Sequence, residues 1–235
     1  MLSIIRSNQR GHTKIDWLDS YHSFSFGEYY DPSNIHFGPL RVMNHDLIQP
    51  GAGFPTHPHR EMEIVTIVLE GVVAHRDSTG GHGMIGVNEI QRMTAGSGIQ
   101  HSEFNPSDDI VLNLLQIWFI PNKSGLTPGY EQKKYSHEEK KNKLLKVVSG
   151  NKDEGLIFIN QDADIYLSDL NKGKNVSYSA KDGRGVYLYV IKGKIVVNDA
   201  VLGTGDAVKI EETGELHIEA SEDSSLILFD LTMKF

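Results

Sequence analysis

The sequence predicts an all-β chain built from two barrel- or sandwich-like halves. Ile-, Val- and Thr-rich segments such as 63–69 are bounded by turn residues, and from Leu144 onward a turn follows at about every eighth to twelfth residue. Many short strands at that spacing are typical of a sandwich or a barrel. The second half also reads as a diverged copy of the first, because segment 186–193 parallels segment 63–71.

A charged segment marks the boundary between the two halves. Residues 137–143 read His-Glu-Glu-Lys-Lys-Asn-Lys, a composition typical of a solvated short helix or a linker. We therefore divide the chain into an N-terminal domain of residues 1–135, a charged linker of residues 136–143 and a C-terminal domain of residues 144–235. Nine of the eleven histidines lie at or before His101, so histidine chemistry is expected in the first domain only.

The composition excludes several classes of function. The 235-residue chain contains no cysteine, which rules out disulfides, thiolate zinc sites and cysteine nucleophiles. A net charge of −8 argues against nucleic acid as a partner. No apolar run approaches the ~20 residues that span a bilayer, and the N-terminus lacks the long apolar segment of a secretory signal. We therefore expect a cytoplasmic protein that does not act at a membrane.

Two pairs of candidate metal ligands stand near the ends of segment 51–103, and each pair follows a glycine-rich turn. Side chains two residues apart on a strand point to the same face, so the members of each pair can aim at one point. A single histidine is commonly an ordinary core or surface residue, but two such pairs are not explained that way. If the two strands face each other, three imidazoles and one carboxylate converge on one divalent transition metal. The pairs are His57 with His59 and His101 with Glu103.

The spacing of these residues is similar to the two short motifs of the cupin superfamily. The first motif is a glycine, a His-x-His pair, a glutamate and a second glycine, and here its last gap holds seven residues instead of six. The second motif ends in Gly-x-x-His, which Gly98 and His101 match. The residues that match the first motif are Gly51, His57, His59, Glu63 and Gly71.

Longer segments resemble the pirin family, and in particular its bacterial subgroup with quercetin 2,3-dioxygenase activity. The most specific is segment 93–103, Met-Thr-Ala-Gly-Ser-Gly-Ile-Gln-His-Ser-Glu, with its His-Ser-Glu ending. The resemblance spans nearly the whole chain. The other segments that carry it are 10–26, 57–60, 68–71, 75–78, 116–118 and 226–231.

The resemblance implies a bicupin, in which two β-barrel domains of the double-stranded β-helix or jelly-roll type share one chain and only the first holds metal. The general cupin pattern nominates Glu63 as the fourth ligand, whereas the pirin pattern nominates Glu103. The Glu63 side chain points to the same strand face as His57 and His59 only if no β-bulge lies between them. The other interpretation of Glu63 is that it lies beside the metal and supports the ligands. The ligands that the pirin pattern implies are His57, His59, His101 and Glu103.

Further residues are weaker candidates. Gln116 lies on a long alternating strand, 111–120, and is a candidate to line the barrel and support the ligands. His75 and Asp77 share one strand face and are expected to form a structural hydrogen bond. The residues whose roles the sequence leaves open are His22, His36, His82, Phe24, Phe26 and Phe37.

The resemblance implies a dioxygenase that opens the central ring of a flavonol such as quercetin with O2 and releases carbon monoxide. Glu103 is the expected base for the flavonol 3-hydroxyl, and Glu63 is the other candidate. Fe(II) is the expected metal, although Cu, Mn, Co, Ni or Zn would also suit three imidazoles and a carboxylate. Six-coordinate iron keeps positions open for reactants, whereas tetrahedral zinc with four protein ligands is closed.

Two other functions stay compatible with the sequence, because cupin folds host many activities. One is a pirin-like metal-binding regulatory or partner-binding protein without physiological dioxygenase activity. The other is a cupin isomerase or hydrolase that needs no oxygen. No protein partner is indicated by the residues themselves, and the partners expected for the dioxygenase are O2 and a flavonol or similar small aromatic molecule.

Overall fold

The computed structural model describes residues 2–153, 155–211 and 214–234. It confirms the all-β fold class, since the regular structure of these residues is β-strand apart from one 3-10 turn, Ser7–Gln9, and one short helix, α1 (His137–Lys140). Neither this helix nor any other stretch in the described ranges forms a helix long and apolar enough to cross a membrane.

The first half of the chain forms one seven-stranded and one four-stranded sheet. The large sheet has the order β12-β9-β6-β11-β4-β3-β2, and the small sheet has the order β5-β10-β7-β8. The strands up to the linker are β1 (Leu2–Ile5), β2 (Gly11–Ile15), β3 (Leu18–His22), β4 (Leu40–Ile48), β5 (Gly53–His59), β6 (Glu63–Glu70), β7 (Val72–Asp77), β8 (His82–Gly86), β9 (Glu89–Thr94), β10 (Ile99–Phe104), β11 (Leu112–Phe119) and β12 (Gly129–Lys134).

The second half repeats the arrangement of one seven-stranded and one four-stranded sheet. Its large sheet has the order β1-β20-β17-β22-β15-β13-β14, and its small sheet has the order β16-β21-β18-β19. The strands after the linker are β13 (Leu145–Ser149), β14 (Ile157–Phe158), β15 (Ala163–Leu170), β16 (Asn175–Ala180), β17 (Arg184–Lys192), β18 (Lys194–Val197), β19 (Ala200–Gly203), β20 (Ala207–Ile210), β21 (Gly214–Ala220) and β22 (Ser224–Thr232).

One strand crosses the domain boundary that the sequence suggests. Strand β1 pairs antiparallel with β20, with Leu2 opposite Ile210 and Ile5 opposite Ala207. It therefore occupies the edge of the second large sheet that β12 occupies in the first. The domain boundaries at residues 135 and 144 remain a proposal. In that proposal β1 now belongs to the second domain, although it lies at the N-terminus. A four-residue strand carries no pattern that says which sheet edge it will join.

The two large sheets pack against each other through their outer faces. Alternate residues of β6 and β11 meet alternate residues of β17 and β22 in one buried cluster that spans both domains. The Phe119 and Phe229 rings illustrate this contact, with centroids 6.2 Å apart. The main members from these four strands are Val65, Ile67, Leu115, Ile117, Phe119, Tyr187, Tyr189, Ile227 and Phe229.

The interiors of the two barrels differ in polarity. The second barrel holds one continuous apolar cluster, whereas the apolar residues of the first divide into two smaller clusters. Between them a row of buried polar side chains, here called the polar row, crosses β3, β4, β11, β6 and β9 in register. The polar row consists of His22, Asn44, Gln116, Thr66 and Gln91.

At the matching position of the second barrel the row is apolar. Tyr166, Leu228, Leu188 and Val208 lie opposite one another on β15, β22, β17 and β20, inside or against the continuous cluster. The repeated fold therefore carries a polar interior in its first copy and a plain core in its second. Polar side chains that can contact a ligand therefore line this row in the first barrel.

The domain interface should dominate stability. We expect Phe229→Ala to lower the free energy of unfolding by about 3–5 kcal/mol, because it empties a fully buried site in the cluster shared by both domains. The measurement is equilibrium denaturation in urea. Val201→Ala is the control, since Val201 is 47% exposed and should change stability by less than about 0.5 kcal/mol. Equal effects of the two substitutions would contradict a shared core.

Candidate metal centre

Strands β5 and β10 bring the two predicted ligand pairs together. They pair antiparallel, so that His101 lies opposite His57 and Ile99 lies opposite His59. The backbones approach very closely at Gly53, where an added Cβ would lie 2.2 Å from the Glu103 carbonyl oxygen. A side chain at this position would separate the two ligand strands, which explains the glycine before the first histidine pair.

The three histidines form a compact group with one ligand nitrogen of each within 4.8 Å of the others. Their ring centroids lie 4.8 Å apart for His57 and His59, 4.5 Å for His57 and His101, and 4.9 Å for His59 and His101. Strand parity and cross-strand register together produce this geometry. Three imidazoles at such distances are suited to a first-row divalent transition metal.

The hydrogen bonds of the rings leave nitrogens available for a metal. His57 Nδ1 lies 2.8 Å from the Pro55 carbonyl oxygen, which can only accept, so the proton is on Nδ1 and the Nε2 lone pair is free. His101 Nε2 is buried without any hydrogen-bond partner. A buried polar atom without a partner is rare in a native fold and is explained by a ligand that the site is built to hold. The residues present therefore fit a metal.

Burial keeps the rings of His59 and His101 neutral. Burial lowers the pKa of His101 to about 2, with further contributions from His57, His59 and His75. Burial also lowers the pKa of His59 to about 4, with a smaller contribution from His57. Neutral imidazole is the form that binds a metal, so these rings need not lose protons at neutral pH before binding.

Glu103 lies behind the histidines, against the polar row. A register shift in the pairing of β10 with β5 falls between His101 and Glu103. The Glu103 carboxylate accepts hydrogen bonds from Thr66 Oγ1 at 3.3 Å and Gln116 Nε2 at 2.8 Å. Burial, with Asp46 as a second cause, raises its pKa to about 7 despite these hydrogen bonds. A carboxyl group that titrates near neutrality is suited to exchange a proton with a substrate.

The structure places Glu63 outside this group, whereas the general cupin spacing suggests it as the fourth ligand. Glu63 has the parity of Val65 and Ile67, which face the second domain rather than the barrel interior. Its carboxylate accepts hydrogen bonds from the backbone N–H and the side-chain amide of Asn160, at 3.1 and 3.3 Å. Glu63 therefore lies at the domain interface, and we propose that it neither binds the metal nor supports its ligands.

His75 has a position that its sequence does not reveal. The expected hydrogen bond is present, with His75 Nε2 3.0 Å from Asp77 Oδ2. His75 also lies beside the ligands, because its ring centroid is 5.3 Å from that of His101 and it groups with His101 and Glu103 as possible ligands. Gln91 Nε2 donates to His75 Nδ1 at 3.1 Å, which holds the ring against His101. The one feature of the sequence that pointed to His75 is its spacing of two residues from Asp77, which places both side chains on one strand face.

A cavity of about 430 Å³ opens beside the three histidines. That volume lies in the range of small-molecule sites, roughly 300–1,000 Å³. Trp118 and Phe26 contact each other edge to face at 5.4 Å, and Trp118 also contacts His59 at 4.8 Å. Of the three phenylalanines left open above, only Phe26 lines this cavity, while Phe24 and Phe37 pack in the domain interface.

The histidines whose roles the sequence leaves undecided also differ in whether they line this cavity. His22 lines the cavity as part of the polar row, whereas His36 interacts with the Gly38 carbonyl oxygen and does not line it. His82 is exposed at the start of β8. A larger groove of about 710 Å³ lies between the domains, but none of the four predicted ligands borders it. The smaller cavity is therefore the candidate substrate pocket.

Comparison with known proteins agrees with this geometry. A family model described as Pirin matches residues 5–119, and one described as Quercetinase C-terminal cupin domain matches residues 146–231. The chain is 41% identical over 231 residues to the quercetin 2,3-dioxygenase of Escherichia coli K12, which covers 98% of this chain and 99% of that protein. The chain belongs to the pirin family. It is a quercetin 2,3-dioxygenase-like oxidoreductase by this similarity, as the sequence motifs led us to expect.

Solved pirin structures confirm the bicupin architecture. The crystal structure of YhhW from E. coli matches with a TM-score of 0.94 at 41% identity, covering 98% of this chain and 97% of that one. A second structure of this bacterial pirin, in complex with nickel(II), matches with a TM-score of 0.93 at 40% identity, covering 99% of both chains. The chain therefore shares its fold with a bacterial pirin whose structure has been solved in complex with nickel(II).

The contact of Gln116 with Glu103 gives a further prediction for this pirin. We expect Gln116→Ala to weaken metal affinity by about 10–100-fold, because the carboxylate loses the donor that orients it. Competition with a metal-binding dye measures the affinity. Gln100→Ala is the matched control, since Gln100 is exposed and adjacent in sequence to the predicted ligand His101. An equal affinity in the two variants would show that Gln116 does not act on the ligand set.

Proposed function

We propose that this pirin is a metal-dependent dioxygenase that cleaves the central ring of flavonols such as quercetin. The observation that supports it most is the position of three imidazoles and a buried carboxyl group on the wall of one small-molecule cavity. The similarity to an E. coli protein named quercetin 2,3-dioxygenase, over nearly the full length of both chains, supports the substrate class.

In this proposal His57, His59, His101 and Glu103 hold one divalent metal, with Fe(II) as the expected ion. Iron suits imidazole and carboxylate ligands and can keep positions open beyond four protein ligands. A bound Fe(II) would supply Lewis acidity to the flavonol 3-hydroxyl oxygen and enable reaction with O2. The partly apolar pocket would hold the flat aromatic rings and exclude water from them.

We assign the role of the base to Glu103. Its pKa of about 7 means that the carboxylate form is substantially populated at neutral pH and that the acid form is also accessible. Glu103 would take the proton of the 3-hydroxyl and leave the electron-rich flavonolate. Reaction with one O2 then breaks two bonds of the central ring, releases the excised carbon as carbon monoxide and leaves both oxygen atoms of O2 in the ester product. Glu103 returns its proton to the carboxylate product.

The test is an aerobic and an anaerobic assay of the same metal-loaded protein. Protein stripped by a chelator and reloaded separately with each candidate metal is mixed with quercetin, and flavonol absorbance and headspace carbon monoxide are followed. We expect carbon monoxide in equal amount to the flavonol consumed, only in air and only with metal. Flavonol loss at the same rate in the stripped protein would indicate autoxidation and contradict the proposal.

Two outcomes would favour the other functions. Turnover of a substrate under argon would indicate a cupin isomerase or hydrolase. Metal-dependent capture of a defined protein, with no oxygen-dependent turnover of any flavonol, would indicate a regulatory pirin.

A further inference from the structure

A second polar group lies in the substrate pocket, on the large sheet rather than on the ligand strands. Ser20 and His22 on β3 lie directly opposite Asp46 and Asn44 on β4. All four side chains are at most 3% exposed, and all four line the cavity beside the histidines. None of them is among the four predicted metal ligands, and none of them donates a hydrogen bond to Glu103, whose described side-chain donors are Thr66 and Gln116.

The hydrogen bonds in this group leave two polar groups directed at the cavity. Ser20 donates to one oxygen of Asp46, and among the described residues this is the one hydrogen bond of that carboxyl group. Asn44 Oδ1 accepts from His22 Nδ1 at 3.0 Å, and the Asn44 amide nitrogen has no protein acceptor in the described chain. The second Asp46 oxygen and the Asn44 nitrogen are not among the fully buried atoms that lack a partner, and both residues line the cavity. Both atoms therefore border the cavity.

A structural role does not account for Asp46. The structure gives it no ion pair in the described residues, and a buried carboxyl group without a cation is expensive to keep in a protein core. At the matching place of the second barrel β15 has Ser168, opposite Leu226. The fold therefore does not require a carboxyl group at this place on β4.

We propose that Asp46, oriented by Ser20, forms with Asn44 a subsite that binds phenolic hydroxyl groups of the substrate remote from the metal. Asp46 accepts the hydrogen of a hydroxyl group and the Asn44 amide donates to a hydroxyl oxygen. The two side chains stand two residues apart on one strand, about 7 Å from Cα to Cα, so they can address one hydroxyl group or two neighbouring ones. This subsite rests on the proposed function for the identity of its ligand.

The subsite gives the pocket a preference among flavonols. An acceptor buried among apolar walls discriminates strongly against a ligand that lacks the matching hydroxyl, because the acceptor then loses water without gaining a partner. A hydrogen bond to a carboxylate corresponds to a difference in affinity of about 10–100-fold. We expect quercetin to bind that much more tightly than 3-hydroxyflavone, which keeps the 3-hydroxyl and lacks all others.

The experiment measures dissociation constants of metal-loaded protein under argon, where no turnover occurs. The probes are quercetin, kaempferol, galangin and 3-hydroxyflavone, which share the 3-hydroxyl and differ in their other hydroxyl groups. The variants are Asp46→Asn, which keeps the shape, and Ser20→Ala, which releases the carboxyl group. Asp19→Asn is the matched control, because Asp19 lies on β3 with its side chain paired to His12 and Lys14 outside the cavity.

In Asp46→Asn we expect the preference for quercetin over 3-hydroxyflavone to fall to within about threefold, with the affinity for 3-hydroxyflavone and the metal content unchanged. Ser20→Ala should lose part of the preference, and it carries the test if Asp46→Asn does not fold. The proposal is overturned if both variants keep the wild-type preference. It is also overturned if they weaken all four ligands equally, since that is the mark of a structural role.

Failure of the subsite and failure of the proposed function give different results. Oxygen-dependent carbon monoxide release with unchanged preferences would reject the subsite alone. Preferences that depend on Asp46, without turnover of any flavonol in air, would reject the dioxygenase and keep the subsite. No detectable binding of any of the four flavonols would reject both.

Discussion

Replacing His57 and His59 together by alanine is expected to abolish metal binding and all flavonol turnover. The pair supplies two of the three imidazoles whose ligand nitrogens lie within 4.8 Å of one another. His101 and Glu103 alone would leave the metal largely coordinated by water, and two neutral ligands with strong preference for transition metals would be lost. Metal content by elemental analysis and carbon monoxide release are the two measurements.

The matched control for the double variant is His82→Ala. His82 is an exposed histidine of the same domain, and its replacement should leave metal content and turnover unchanged. Both variants should keep a wild-type thermal transition when each is measured without metal, because His57 and His59 are only partly buried. Full metal occupancy in the double variant, with normal carbon monoxide release, would show that the metal lies elsewhere.

Glu103→Gln should retain metal and lose most of its activity. Glutamine keeps the shape of the side chain and leaves the three imidazoles in place, so weak to moderate metal binding should persist. It cannot take a proton from the substrate, and loss of a general base typically lowers the rate by about 100–10,000-fold. The measurement is turnover per bound metal, with each sample corrected for its metal content.

Glu63→Gln is the comparison that separates the two glutamates. Glu63 contacts Asn160 at the domain interface, so its replacement should lower stability while turnover per bound metal stays at the wild-type level. If instead Glu63→Gln were inactive and Glu103→Gln fully active, the carboxylate assignment would be wrong. Thermal unfolding of both variants should be recorded beside the assay, so that a loss of folded protein is not counted as a loss of catalysis.

Much of the architecture follows from local patterns in the chain. Alternation on segment 111–120 correctly predicts that Gln116 shares the inner face with Trp118, while Ile117 and Phe119 face the other way. The two-residue spacing of His57 and His59, and of His101 and Glu103, predicts pairs that share a strand face. The structure brings the three imidazoles together and sets Glu103 directly beside His101.

The sequence by itself therefore determined the all-β class, the repeated halves, the family and the side chains that can converge on a metal. Tertiary structure alone decided that Glu63 faces the second domain, that β1 joins the second sheet, and that Asp46 lies opposite Ser20 in the pocket. The physical reason is that a period of two fixes which side chains share a face within one strand. It does not say which face becomes the interior or which distant strand lies alongside, because those choices depend on packing between segments far apart in the chain.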